Sequence, residues 1–186
     1  MGIGAERPWW DTLMGRDGEP VGMRVGIVSD THDNLDVVER AVELFESAGV
    51  DAVVHCGDIV APFSAAPFDG AWDFYAVRGN NDGEWALSDV VDDFGTYLGE
   101  MGELELGGAS VAVYHGTSGP IVDALVDCGR YDYVCHGHTH EFVHEDRDGT
   151  VRINPGGIPF DAAPETPYAV VLDVDSGDLE RTPLVE

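Results

Sequence analysis

The chain has 186 residues, 36 of them acidic and nine basic, for a formal net charge of −27. That length suits one well-buried domain, and no run of eighteen apolar residues offers a transmembrane helix. All nine basic residues are Arg, which excludes Lys-dependent phosphate binding and Schiff-base chemistry.

The first 22 residues, MGIGAERPWWDTLMGRDGEPVG, have no usable period. They lack the basic start and apolar core of a signal peptide, and Glu6 breaks the myristoylation pattern. They are read as an extension, with Trp9 and Trp10 free to dock on a domain spanning residues 23–186, and the expected location is the cytoplasm. RVGIVS (24–29) is a short β-branched run and predicts a buried strand. NLDVVERAVELFESAG follows, with Leu35, Val38, Val42 and Phe45 at helical spacing and Gly49 as the stop. DAVVHCG (51–57) and DFYAVRG (73–79) predict two further strands, while residues 84–100 read as a short helix or irregular segment. GELELGGASVAVYHG (102–116) predicts a hairpin turning at Gly107-Gly108. GPIVDALVDCG (119–129) predicts a helix and YDYVCHG (131–137) a strand. Two more hairpins close the chain, one around Asp148-Gly149 and one within residues 167–185. Alternating strands and helices followed by hairpins argue for an α/β sandwich of two mixed sheets.

The acids are spread through these patterned segments and form no blocks, so a disordered acidic tail is a poor account of them. An acidic surface adapted to molar salt is a better one, since at 1 M ionic strength the Debye length is only about 3 Å. Such a surface disfavours nucleic acid as a partner and still admits a small phosphorylated substrate. The cysteines Cys56, Cys128 and Cys135 lack CxxC spacing and are read as buried reduced thiols.

The metal-competent residues fall in a pattern. Asp30 and His32 follow the first strand in SDTHDN, Asp58 the second in HCGDI, and Asn80 the third in RGNND. His115 ends the strand in VYHGT, and His138 and His140 follow the next in HGHTH. Each lies just past the C-terminal end of a predicted strand, the edge where α/β sheets build ligand sites. Seven donors serve two divalent metals if the carboxylate of Asp58 bridges them, with positions left for water and substrate. Gly57, Gly79, Gly116 and Gly137 flank these donors, as crowding around a metal pair requires. His136 reads as the last residue of its strand and not as a ligand.

SDTHDN, HCGDI, VRGNND, YHG and HGHTH, in this order, resemble the calcineurin-like metallophosphoesterase superfamily. INPGG near the end makes the chain most similar to its small prokaryotic phosphodiesterase branch (YfcE-type), over about residues 23–183. The resemblance implies a metallophosphoesterase-type sandwich of two β-sheets flanked by helices. It also implies one metal on Asp30, His32 and His140, a second on Asn80, His115 and His138, and Asp58 between them. Asp58, Asn80 and His115 would then carry catalysis through the metals they hold, with a metal-bridging hydroxide as nucleophile and no protein nucleophile. The donor mix suits Mn²⁺, with Fe, Ni²⁺, Co²⁺ or Zn²⁺ as alternatives. Two departures stand out. Asn81 replaces a His that protonates the leaving group in many members, which favours diesters with good leaving groups. Gly157 stands where the related loop carries Ser.

The function this predicts is hydrolysis of small phosphodiesters, with a phosphomonoesterase, a nuclease or a silent scaffold as the rival readings. Members of this branch often self-associate, so a homo-oligomer stays open. His55 and His144 read as structural or solvent-facing. Arg78 reads as an ion-pair partner before a phosphate ligand, and Asp82 as a residue that orients its loop.

Overall fold

The computed structural model describes residues 22–83, 85–158 and 166–185. The proposed extension, Trp9 and Trp10 included, lies outside them except for Gly22. The elements run β1 (Arg24–Val28), α1 (Leu35–Ala48), β2 (Ala52–His55), α2 (Pro62–Ala65), a 3-10 turn (Ala66–Phe68) and β3 (Asp73–Ala76). They continue α3 (Ala86–Phe94), β4 (Thr96–Tyr97), β5 (Met101–Leu106), β6 (Ala109–Tyr114), α4 (Gly119–Asp127) and β7 (Tyr133–Cys135). β8 (Val143–Arg147), β9 (Thr150–Asn154), β10 (Tyr168–Asp173) and β11 (Leu179–Pro183) end the fold.

One sheet has the order β11-β10-β1-β2-β3-β4 and the other β5-β6-β7-β9-β8. β1, β2 and β3 are parallel, with Ile27 beside Val54 and Val54 beside Tyr75. β6, β7 and β9 are parallel in the second sheet, and antiparallel hairpins flank them. Both sheets are therefore mixed, as predicted.

The period-2 alternation of a strand sorts each sheet's residues into two layers. Val25, Ile27, Ala52 and Val54 meet Val111, Val113, Tyr133, Cys135 and Ile153 in the core between the sheets. Val28 and Val53 face the other way, toward Val38, Ala41 and Phe45 of α1 and Leu87 and Val91 of α3. Ala112, Tyr114 and Val134 turn outward onto Val122 and Val126 of α4. The result is four layers: helix, sheet, sheet, helix.

Local chemistry sets the element ends. The Asn34 side chain accepts from Val37 N–H at 3.3 Å to cap α1, and Gly49 closes the helix in the left-handed region at φ 61°. Gly107 and Gly108 turn the β5–β6 hairpin at φ 59° and 86°, as a two-residue primed turn demands. The helix stripe agrees with the predicted one at Val38 and Phe45, which are buried, and differs elsewhere: Leu35, the first helical residue, is exposed, Val42 is half-buried, and Val37 and Ala41 are buried in addition. Cys56 and Cys135 are buried as expected, but Cys128 is exposed. It caps the C-terminus of α4 on the solvent side, where the helix stripe has turned away from the sheet. The ambiguous 84–100 segment contains α3 and β4. α2 and its 3-10 turn were not legible, since seven residues are too few to show a period.

Phe45 lies flat against β1, where a Cβ on Gly26 would come within 2.6 Å of its ring. Phe45→Ala is expected to cost about 3–5 kcal/mol in urea unfolding. Gly26→Ala, which overpacks the same contact, should cost about 1–3 kcal/mol.

Candidate metal centre

β1, β2 and β3 end side by side, and β6 and β7 end together in the facing sheet, so five strand ends open onto one region. Asp30 and His32 come from the loop after β1, Asp58 from the loop after β2 and Asn80 from the loop after β3. His115 directly follows β6, and His138 and His140 sit in the loop after β7. Asp30, Asp58, His115 and His140 are buried.

The distances divide the residues into two joined groups. His140 Nε2 lies 3.2 Å from Asp30 Oδ1 and 3.3 Å from His32 Nε2. His115 Nε2 lies 3.4 Å from Asp58 Oδ2 and 3.1 Å from Asn80 Oδ1. Asp58 Oδ2 is also 3.6 Å from His32 Nε2, which puts this carboxylate between the groups. Two sets of donors close to within 4.8 Å, one of Asp30, His32 and His140 and one of Asp30, Asp58 and His115. Asp30 thus borders both sets, although the sequence assigned it to one. His138 joins neither set: its ring stands edge-on to His115 at 5.2 Å, and its backbone N–H donates to Asp30 Oδ2 at 3.0 Å.

Whether a cation fits is decided by the lone pairs. His115 Nδ1 faces the Cys56 carbonyl at 2.8 Å, which can only accept, so Nδ1 carries the proton. In the neutral ring the Nε2 lone pair then points at two oxygens that are themselves acceptors. His140 is oriented the same way, with Nδ1 donating to the Ile158 carbonyl and Nε2 toward Asp30. Asp30 Oδ1 is buried and accepts no hydrogen bond of proper geometry. Imidazole nitrogens and carboxylate oxygens that converge in this way suit a divalent cation, and imidazole, carboxylate and amide donors suit a transition metal.

The titration shifts follow from this crowding. Burial pushes the Asp30 carboxyl up, but His140 and the Ser29 hydroxyl, which donates at 2.5 Å, hold it below its ordinary value. Burial likewise opposes ionisation of Asp58, and His115 with the Asn81 backbone N–H outweighs it and holds Asp58 well down. His115 and His140 move up, as burial is overcome by Asp58 and Asp30 respectively. Both carboxylates thus stay charged and draw positive charge to this spot.

The backbone is strained where the donors sit. Asp30, His32, Asp58, His138 and His140 all have φ between 43° and 69°, which non-glycine residues adopt rarely. Val60, β-branched, sits at φ 84° beside them. Of the flanking glycines, Gly57 and Gly116 take the positive φ expected. Gly79 and Gly137 matter through contact instead. A Cβ on Gly79 would overlap Asp58 N and Oδ1, and one on Gly137 would overlap Ser29 Oγ and Asp30 Oδ2.

Supporting residues hold these loops. Asp82 accepts backbone N–H groups from Gly79 at 2.6 Å, Val60 at 2.7 Å and Asp58 at 3.1 Å, so it orients its loop as anticipated. His55 is buried, and burial pushes its pKa down to about 3, leaving the ring neutral. Its Nδ1 accepts from Gly57 N–H at 3.2 Å, so Nε2 donates to Thr31 Oγ1 at 3.1 Å, tying the β1 and β2 loops together. His136 follows β7, and Arg152 Nε donates to its Nε2 at 2.9 Å. Asn154 of INPGG donates to Gly137 O at 2.9 Å and to Thr139 Oγ1 at 3.1 Å, bracing the HGHTH loop. Sequence reasoning assigned no task to His55 or Asn154; a buried polar residue on a strand was the available signal. Arg78 pairs with Glu100 at 2.9 Å.

A family model for the calcineurin-like phosphoesterase superfamily domain matches residues 23–177. Phosphodiesterase MJ0936 of Methanocaldococcus jannaschii is 36% identical over 141 residues, covering 72% of this chain and 83% of that protein. Phosphodiesterase YfcE of Escherichia coli is 29% identical over 151 residues, covering 73% and 79% respectively. The solved structure of an archaeal phosphodiesterase superposes with a TM-score of 0.81 at 31% identity, covering 87% of this chain and 99% of that one. The family match runs from β1 through β10 and takes in every loop that brings a donor to the centre, and the chain belongs to the calcineurin-like phosphoesterase superfamily.

Proposed function

We propose that this metal-dependent phosphoesterase is a phosphodiesterase that works with two divalent cations, Mn²⁺ foremost, on small diesters. The observation that carries the reading is the convergence of carboxylate and imidazole lone pairs on one spot that no arginine neutralises among the described residues. Asp30, His32 and His140 would hold one cation and Asn80, His115 and His138 the other, with Asp58 between them. Bound there, the cations would polarise phosphate oxygens and lower the pKa of water.

The chain's own residues set the geometry and limit the leaving group. Asn81 donates its backbone N–H to Asp58 Oδ1 and its side-chain Nδ2 to Asp58 Oδ2, both at 2.8 Å. It steadies the carboxylate and, as an amide, cannot protonate a departing alkoxide near neutral pH. Diesters with stable leaving groups are therefore favoured over monoesters. Arg78 is engaged with Glu100 and is left out of phosphate binding. The net charge of −27 without Lys supports work in the salt-rich cytoplasm of a halophilic cell.

Turnover of bis(p-nitrophenyl) phosphate and of p-nitrophenyl phosphate, in molar KCl with Mn²⁺, tests the reading. The diester should be the better substrate, and Asp58→Ala should lower its hydrolysis by about 100-fold or more. Faster turnover of the monoester would refute the role given to Asn81. An inert folded protein with every divalent metal would favour a scaffold. Thermal melting checks the centre without activity. Mn²⁺ at 100 times its Kd should stabilise the fold by about 2.7 kcal/mol, raising Tm by about 5–10 °C in a chain this size. Asp82→Ala, which frees three backbone N–H groups around Asp58, should weaken Mn²⁺ binding about 10–100-fold.

A further inference from the structure

A cleft of about 600 Å³ adjoins the metal centre. Its lining includes His140 and Gly157, which border the centre, and Phe142, Tyr168 and Arg181, which do not. Gly157 is the junction: a Cβ there would come within 2.5 Å of Asp30 Cβ and 3.3 Å of His140 Cγ. With Gly156 beside it, bare backbone separates the donors from the cleft.

Arg181 is held in an unusual way for this chain. Its guanidinium carbon lies 3.5 Å from the Tyr168 ring centroid and 4.1 Å from that of Phe142. The rings come from different sheets: Tyr168 opens β10, paired to β11, and Phe142 immediately precedes β8. Aromatic faces fix the plane of a guanidinium and leave its N–H edge unused.

The other described arginines are committed. Arg40, Arg78, Arg130 and Arg147 form ion pairs, Arg24 donates to Ala48 O, and Arg152 donates to His136. Among the described residues Arg181 makes neither an ion pair nor a side-chain hydrogen bond, in a chain where acids outnumber bases 36 to nine. A cation kept off carboxylates, with a planar N–H fork beside a phosphate-processing centre, suits an incoming oxyanion bidentately. Glu141 shares the cleft and opposes a polyanion, so one phosphate is favoured over a nucleic-acid backbone.

We propose that this cleft is a substrate subsite, in which Arg181 binds a phosphate group carried by one substituent of the diester. It rests on the phosphodiesterase reading and adds the class of substrate to it. The diester cleaved at the centre would join a phosphorylated alcohol to a second alcohol, and Arg181 would act on binding and not on the chemical step.

The test compares the p-nitrophenyl ester of thymidine 5′-phosphate with the same ester carrying an added 3′-phosphate, using the Mn²⁺-loaded full chain. In the unsubstituted protein the 3′-phosphate should raise kcat/KM about tenfold, through KM, as a charge-assisted hydrogen-bonded pair allows. Arg181→Met keeps length and ring contact but removes charge, and it should bring the ratio of the two esters to about one. Turnover of bis(p-nitrophenyl) phosphate, which carries no second anion, should be the same in both proteins and shows that the variant is folded. A ratio near one in the unsubstituted protein, or a preference that survives Arg181→Met, overturns the subsite and leaves the diesterase standing. Inertness toward all three esters overturns the diesterase reading and the subsite with it.

Discussion

The structure depends on two buried carboxylates, Asp30 and Asp58, that stay ionised with no arginine beside them among the described residues. Burying a charge is costly unless it is paired, and the imidazoles of His32, His115 and His140 approach these carboxylates at 3.2 to 3.9 Å. Those rings are turned so that their lone pairs meet the carboxylates, by carbonyls that claim the opposite nitrogens of His115 and His140. This spot gathers negative charge and imidazole nitrogens at the edge of a well-packed sandwich. The fold holds them there against their mutual repulsion.

It does so through constraints of backbone and packing. Left-handed backbone at five of the seven donors costs conformational energy that only the surrounding structure can sustain. Asp82 gathers three N–H groups from the loops after β2 and β3, and buried neutral His55 clamps the loop after β1 to the start of the Asp58 loop. Gly79 and Gly137 allow chain segments to approach more closely than any side chain would permit. Beneath them the parallel strands β1, β2 and β3 align their C-terminal ends, so short loops suffice to bring the donors together.

Asn81 shows how one position tunes a shared framework. It stands where an imidazole serves as a proton donor in many relatives, and here it spends both its backbone and side-chain N–H groups on Asp58. In the proposed reaction this would favour leaving groups that depart unaided, while the charge of the Asp58 carboxylate is reinforced. The proposed specificity would come from the adjoining cleft, where Arg181 lies between two rings.

Much of this was written in the sequence. Period-2 runs of β-branched residues marked the strands, helical spacing with Asn34 and Gly49 marked α1, and glycine pairs marked the hairpins. The donors were legible because carboxylate, amide and imidazole side chains recur just after strands, a one-dimensional pattern with a direct chemical meaning. Tertiary structure decided what depends on approach in space. Asp30 borders both donor sets, Cys128 faces solvent, and Tyr168, Phe142 and Arg181 meet from three separate segments of chain. The physical reason is range: propensity and periodicity act over a few residues, whereas these contacts join residues brought together only by strand order and sheet packing. Sequence determined which groups could bind a metal, and packing determined which lone pairs point at one another.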